Sequence, residues 1–252
     1  MTDYTITRWT HASTMVGSSK DDAIEIIVNN RAATRQAIID ALTLKHFKIK
    51  TRSAWKAKEP ATSPGKDWDY TAIAIHHAGN SFSCAADGAD EMRKAEAIDL
   101  AKFGQVSYHY AIDCQGTIYE ALDIRYKGRH IKDGNAGVIG IVFLADFSTR
   151  GEAEKYGPGV WNTTKEEGVK RGISEGLGVL KDEFAVNHDE PSERQLEAAS
   201  ALTKTLTDFF NISTLGGHRE FAKALMTSRA CPGVYGMIIA GMLRRELELA
   251  AP

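Results

Sequence analysis

The sequence predicts an α/β fold, a mixed central β-sheet flanked by helices. Three observations carry that expectation. Two short apolar runs, Thr71–His77 and Val138–Ala145, are bounded by polar stretches and have the length of buried strands rather than helices. Helical patterns separate and follow them, and the pattern at residues 192–209 begins with a capping sequence. The chain has 252 residues, enough to bury one good-sized core between such layers.

Residues 19–47 read as a helix, because Ser19, Asp21 and Asp22 suit a helix start and Ile24, Ile27, Val28, Ile38, Ala41 and Leu42 recur at rough helical spacing. This predicts a helical N-terminal extension over residues 1–50, ahead of a single domain over 51–252. Residues 48–66 are polar, contain Pro60 and Pro64, and read as an extended connector anchored by Trp55. After the first strand, residues 88–103 read as a helix. Val106–Asp113 and Thr117–Ala121 form a hairpin around Asp113-Cys114-Gln115-Gly116, where glycine makes a positive φ cheap.

Residues 149–190 read as an insertion, with a surface helix over Thr164–Phe184. Gly168, Gly172 and Gly176 lie in register there, and Lys170, Arg171 and Glu175 argue against a membrane helix. Ser192-Glu193-Arg194-Gln195 opens a helix whose apolar face is Leu196, Ala199, Leu202, Leu206 and Phe209. Leu215–His218 reads as a strand end, and Cys231-Pro232-Gly233 opens a last helix running to about Ala250.

Composition narrows the function classes. Apolar and charged contents of 43% and 25% are those of an ordinary soluble globular chain. A net charge of −2 gives a nucleic-acid partner no support. No apolar run approaches the roughly 18 residues of a membrane span, so no membrane insertion is expected. The N-terminal MTDYTITRWTH lacks a basic n-region and an apolar h-region. The expectation is synthesis in the cytoplasm without a signal peptide, with delivery to any substrate outside the membrane. Three widely spaced cysteines, Cys84, Cys114 and Cys231, do not describe a disulfide framework; at least one is free, and a thiolate is a good soft metal ligand.

The chemistry-bearing positions are His76 at the end of the first buried strand, His218 after Gly216-Gly217, and Cys231 before Pro232. Two imidazoles and one thiolate leave a fourth position open, which is what a catalytic zinc requires. The spacing alone is not a compact zinc signature, and a lone strand-end histidine also reads as structural. A copper site is disfavoured because no histidine follows Cys231.

Ile73-Ala-Ile-His-His-Ala-Gly79 resembles the first zinc-ligand strand of the type 2 N-acetylmuramoyl-L-alanine amidases, the superfamily of phage amidase-lysozymes and peptidoglycan recognition proteins. Other blocks resemble the family in the same order. They are Arg52-Ser-Ala-Trp55 with Pro60, Val106–Glu120, Lys127-Gly-Arg-His130 with Asn135 and Ile139-Gly-Ile141, Gly217-His218-Arg219, and Ala230-Cys231-Pro232-Gly233. The resemblance runs from about Arg52 to the C-terminus, interrupted by the insertion.

The resemblance implies one Zn2+ on His76, His218 and Cys231. It implies a hydrolase that cuts the amide between the muramyl lactyl group and L-alanine of peptidoglycan, as a phage endolysin or an antibacterial effector does. Tyr108 matches the family's active-site tyrosine. Arg229 stands where phage amidase-lysozymes carry lysine and recognition proteins carry threonine; being permanently charged it can stabilise an oxyanion or hold a carboxylate but not act as a base. His130 and Asn135 match substrate-groove positions, with loop roles as the other reading. His77, on the opposite strand face from His76, is assigned a role in packing or in supporting the ligands, and His109 a structural one. Val142 stands where some cytosolic recycling amidases carry a carboxylate, and Cys84 lacks the nearby partner cysteine of many recognition proteins, so Cys84 and Cys114 read as buried apolar side chains. The alternative function is a non-catalytic peptidoglycan sensor on the same fold. Such receptors often lose the cysteine ligand or the tyrosine, and both are present here. The extension and the insertion are places for a delivery partner, a wall ligand or another copy of the chain.

Overall fold

A computed structural model describes residues 12–16, 24–28, 30–61, 63–79, 81–156 and 189–252. Six strands form the main sheet: β3 (Ile49–Lys50), β4 (Ala72–His77), β5 (Tyr110–Ile112), β6 (Ile118–Glu120), β7 (Val138–Phe143) and β8 (Thr214–Gly217), in the order β3-β6-β5-β7-β4-β8. Only β5 and β6 pair antiparallel, around the predicted turn at 113–116; the other neighbours are parallel. The sheet is therefore mixed, as the sequence implies. β7 is buried at every position and β4 at all but its last, which is why both read as unbroken apolar runs rather than alternating ones.

Helices cover the sheet. α1 (Asn30–Leu44) places Ile38 and Leu42 in the main core. α2 (Gly88–Phe103) matches its predicted bounds, and Asp87 caps it by accepting from the N–H groups of Ala89 and Asp90. α3 (Glu152–Tyr156) begins the predicted insertion, whose proposed helix at 164–184 lies outside the described residues. α4 (Glu193–Phe209) carries the predicted capping box: Ser192 Oγ accepts from the Gln195 N–H at 3.1 Å and Gln195 Oε1 from the Ser192 N–H at 3.0 Å. Ala199, Leu202 and Leu206 of its apolar face are fully buried. α5 (His218–Ala224) and α6 (Gly233–Glu246) follow β8.

Two expectations need correction. The helix read over 19–47 starts only at Asn30, and β1 (Ala12–Val16) pairs antiparallel with β2 (Ile24–Val28) before it. Four of the five residues of β2 are β-branched, which favours an extended chain over a helix. Second, Cys84 and Cys114 form a disulfide rather than two separate apolar side chains. The partner lies 30 residues away in sequence, but the loop after β4 brings Cys84 to the β5–β6 turn, with the two Cα atoms 5.3 Å apart. A closed loop of that size is worth about 3–4 kcal/mol in the chain-entropy account. Cys114→Ser is therefore expected to lower the unfolding free energy by about 3 kcal/mol in denaturant titration.

Candidate metal centre

Adjacent parallel strands bring the first two site histidines together. β4 and β8 pair in register from Ala72↔Thr214 to Ile75↔Gly217, so His76 and His218 are the next residues on two neighbouring chains. Their ring centroids are 4.6 Å apart. This is the carboxyl end of parallel strands, where side chains from separate elements converge. Gly216 and Gly217 leave no room for side chains: a Cβ on Gly217 would meet Met237 Sδ at 2.5 Å and Pro232 at 2.9 Å. That closeness brings the Cys231-Pro232 segment over the strand end. Gly233, at φ 76°, lies against the Phe147 carbonyl, where a Cβ would come within 2.2 Å.

The result is one cluster. A nitrogen of His76, a nitrogen of His218 and Cys231 Sγ lie within 4.8 Å of one another, and Cys231 Sγ is 3.5 Å from His76 Nδ1. The ring of Tyr108 stands 4.9 Å from that of His76, centre to centre. Burial, followed by the neighbouring Cys231, holds the Tyr108 hydroxyl well above its usual range, so it remains an O–H donor. Arg229, two residues before Cys231, acts on the cluster through its charge: burial, and next the Arg229 charge, push His218 down to about 3. Arg229 also donates to the Ser228 carbonyl at 2.7 Å.

His130 is buried, whereas Asn135 is half-buried beside it. His130 is 6% exposed and sits where Gly140 of β7 provides space; a Cβ there would meet the imidazole at 2.6 Å. Its Nε2 faces the Val138 carbonyl at 3.3 Å and its Nδ1 faces His76 Nε2 at 3.1 Å. A carbonyl only accepts, so the proton of His130 belongs on Nε2. His130 Nδ1 then accepts from His76 Nε2–H, and the free lone pair of His76 is on Nδ1, the atom nearest Cys231. Burial keeps both rings neutral, well below the usual histidine range. The Asn135 carbonyl oxygen accepts from the backbone N–H groups of His130 and Ile131 at 2.7 and 2.8 Å, which shapes the loop that carries His130.

His77 and His109 both bond to backbone groups. His77 Nδ1 accepts from the Phe147 N–H at 3.0 Å. His109 Nδ1 accepts from the Gly140 N–H at 3.0 Å, and its Nε2 faces the Tyr126 carbonyl at 2.9 Å. Val142 pairs with His76 across β4 and β7 and is 2% exposed, so no carboxylate stands at that position.

The family model of N-acetylmuramoyl-L-alanine amidase matches residues 66–234, a span that contains all three clustered residues. The chain belongs to this amidase family. Mouse peptidoglycan recognition protein 3 is 31% identical over 101 residues, 39% of this chain and 29% of the mouse protein, so the likeness spans under a third of that relative. The fold is similar to that of the amidase LysC from Clostridium intestinale URNW, with TM-score 0.53, 17% identity, and 81% of this chain and 99% of the other covered. It is also similar to a Drosophila PGRP-LB variant in complex with tracheal cytotoxin, with TM-score 0.53, 18% identity, and 80% and 96% covered.

Zinc, which the family implies, suits the donor set of this cluster. Tetrahedral zinc with Zn–N near 2.0 Å and Zn–S near 2.3 Å sets its ligand atoms about 3.3–3.7 Å apart. The 3.5 Å between His76 Nδ1 and Cys231 Sγ falls in that range. The imidazoles are already neutral, whereas burial pushes the Cys231 thiol up to about 12, so the metal-free thiol is protonated at pH 7. Binding must then release about one proton per ion, and affinity is expected to rise about tenfold per pH unit near neutrality and to fall equally as pH drops. Calorimetry in buffers of different ionisation enthalpy measures that proton. A value near zero would mean that the thiol is not a ligand.

Sequence reasoning assigned no role to two residues beside the cluster. Glu152 and Arg219 form a largely buried ion pair next to His218 and Cys231. Arg219 was visible only as part of a motif, and Glu152 had no sequence signal.

Proposed function

We propose that the protein is a zinc-dependent N-acetylmuramoyl-L-alanine amidase that hydrolyses the amide between the muramyl lactyl group and L-alanine. One observation carries this reading: His76, His218 and Cys231 converge beside Tyr108, inside the span that matches the amidase family. Zinc, when bound, supplies Lewis-acid polarisation of the scissile carbonyl and activation of water at neutral pH.

The chain's own residues do the rest. His130 accepts the His76 Nε2 proton and so fixes which nitrogen of His76 is free. Tyr108, held protonated, donates to the carbonyl oxygen as it gains negative charge. Arg229 adds positive charge at the same side of the cluster and is suited to the oxyanion or to a stem-peptide carboxylate. The complex of the Drosophila relative with tracheal cytotoxin supports peptidoglycan fragments as the substrate class. Among the described residues no helix is long and apolar enough to cross a membrane. The proposed site of action is the cell wall, reached by release or delivery. The N-terminal extension to residue 50 and the insertion at 149–190 are proposed as additions to the amidase unit of 51–252.

Incubation with isolated sacculi, with and without a chelator, tests the reading by mass spectrometry of the released products. Free stem peptides beginning at L-alanine, lost on chelation and restored by zinc, are the expected result. Sacculus binding without release, in protein that holds zinc, would favour a non-catalytic sensor.

A further inference from the structure

Helix α3 lies outside the three ligand motifs, yet its first residue reaches two of them. Glu152 is 3% exposed. One of its carboxylate oxygens pairs with the guanidinium of Arg219, the residue after His218. Its other oxygen accepts the N–H groups of Val234 at 3.0 Å and Thr149 at 2.9 Å. The same Arg219 nitrogen also donates to the carbonyl of Ala230, the residue before Cys231. One carboxylate and one guanidinium thus tie the His218 segment to chain on both sides of Cys231.

General fold stability does not account for this pair. Burying two charges carries a desolvation cost that their attraction need not repay, and an apolar pair of similar volume often serves the fold as well. What the pair does specifically is fix one distance, between the start of α5 and the loop entering α6. That distance decides whether His218 and Cys231 can share an ion.

We propose that Glu152 is a positioning residue for the metal centre, holding His218 and Cys231 at the separation zinc needs through Arg219 and the Val234 backbone. This rests on the zinc reading above. Without the carboxylate, the two segments are held together less tightly in the metal-free protein. Only a fraction of molecules then presents a converged site, and the apparent affinity falls by that fraction. The Arg219 charge is also left without its counter-ion beside the thiolate segment.

The test uses the full chain as wild type, Glu152→Gln and Glu152→Asp. Zinc affinity is read by chelator competition, and the thiolate-to-metal absorption band is read after cobalt substitution. Glu152→Gln is expected to lower zinc affinity by about 10-fold or more, the scale seen when groups supporting metal ligands are removed. It should also shift the cobalt band. Glu152→Asp, which keeps the charge, is expected to recover part of both, and it carries the test if Glu152→Gln does not fold. Folded variants with wild-type affinity and an unchanged cobalt spectrum would overturn the proposal while leaving the zinc reading intact. Wild-type protein that takes up no zinc would overturn both.

Discussion

Cys231→Ala is expected to lower peptidoglycan hydrolysis by at least about 10³-fold, because water activation at neutral pH depends on the bound metal. The thiol is the only soft, charge-bearing donor of the cluster. Its Sγ lies 3.5 Å from His76 Nδ1, and both histidines are neutral. Removing it leaves two uncharged nitrogens to hold a dication. Zinc content by mass spectrometry should fall in step with activity. The fold should survive, since the change removes one sulfur atom from a partly exposed position. Turnover retained at the wild-type rate would show that the thiolate is not needed.

Tyr108→Phe is expected to lower kcat by about 10²–10³-fold, the usual cost of losing one donor to a developing oxyanion. KM and zinc content should change little, because the hydroxyl is not among the ligand atoms and its bond strengthens only as charge develops. Phenylalanine keeps the ring that packs 4.9 Å from His76. Steady-state kinetics on a soluble muramyl peptide separate the two constants. An equal loss in kcat/KM arising wholly from KM would make Tyr108 a binding group instead.

The parts of the fold that depend on chain-local physics were legible. β7 and the first four residues of β4 are apolar because both faces are covered, and α4 declares its start in Ser192 and Gln195. The three metal candidates were legible through the resemblance of their ordered sequence blocks to the amidase family, because their spacing alone is not a compact zinc signature. What was not legible depends on tertiary course. Ile24, Ile27 and Val28 fit a helical spacing and a β-branched strand equally, and pairing with residues 12–16 decides between them. The Cys84–Cys114 bond requires the path of a loop that no local pattern specifies. The burial of His130 against His76 had a faint signal in Gly140, since a glycine inside a strand marks close approach of another group. Glu152 carries no local sequence signal, and only the fold brings it to Arg219.

Hydrolysis of a purified muramyl peptide in oxygen-18 water by zinc-loaded protein shows directly whether the lactyl–alanine amide is the bond cut. Cleavage there puts one heavy oxygen in the carboxylate of the released muramic acid and none in the free peptide, whose new terminus is the L-alanine amine. Label in the peptide, or in a cleaved sugar, would locate the reaction at another bond and contradict the proposed amidase activity.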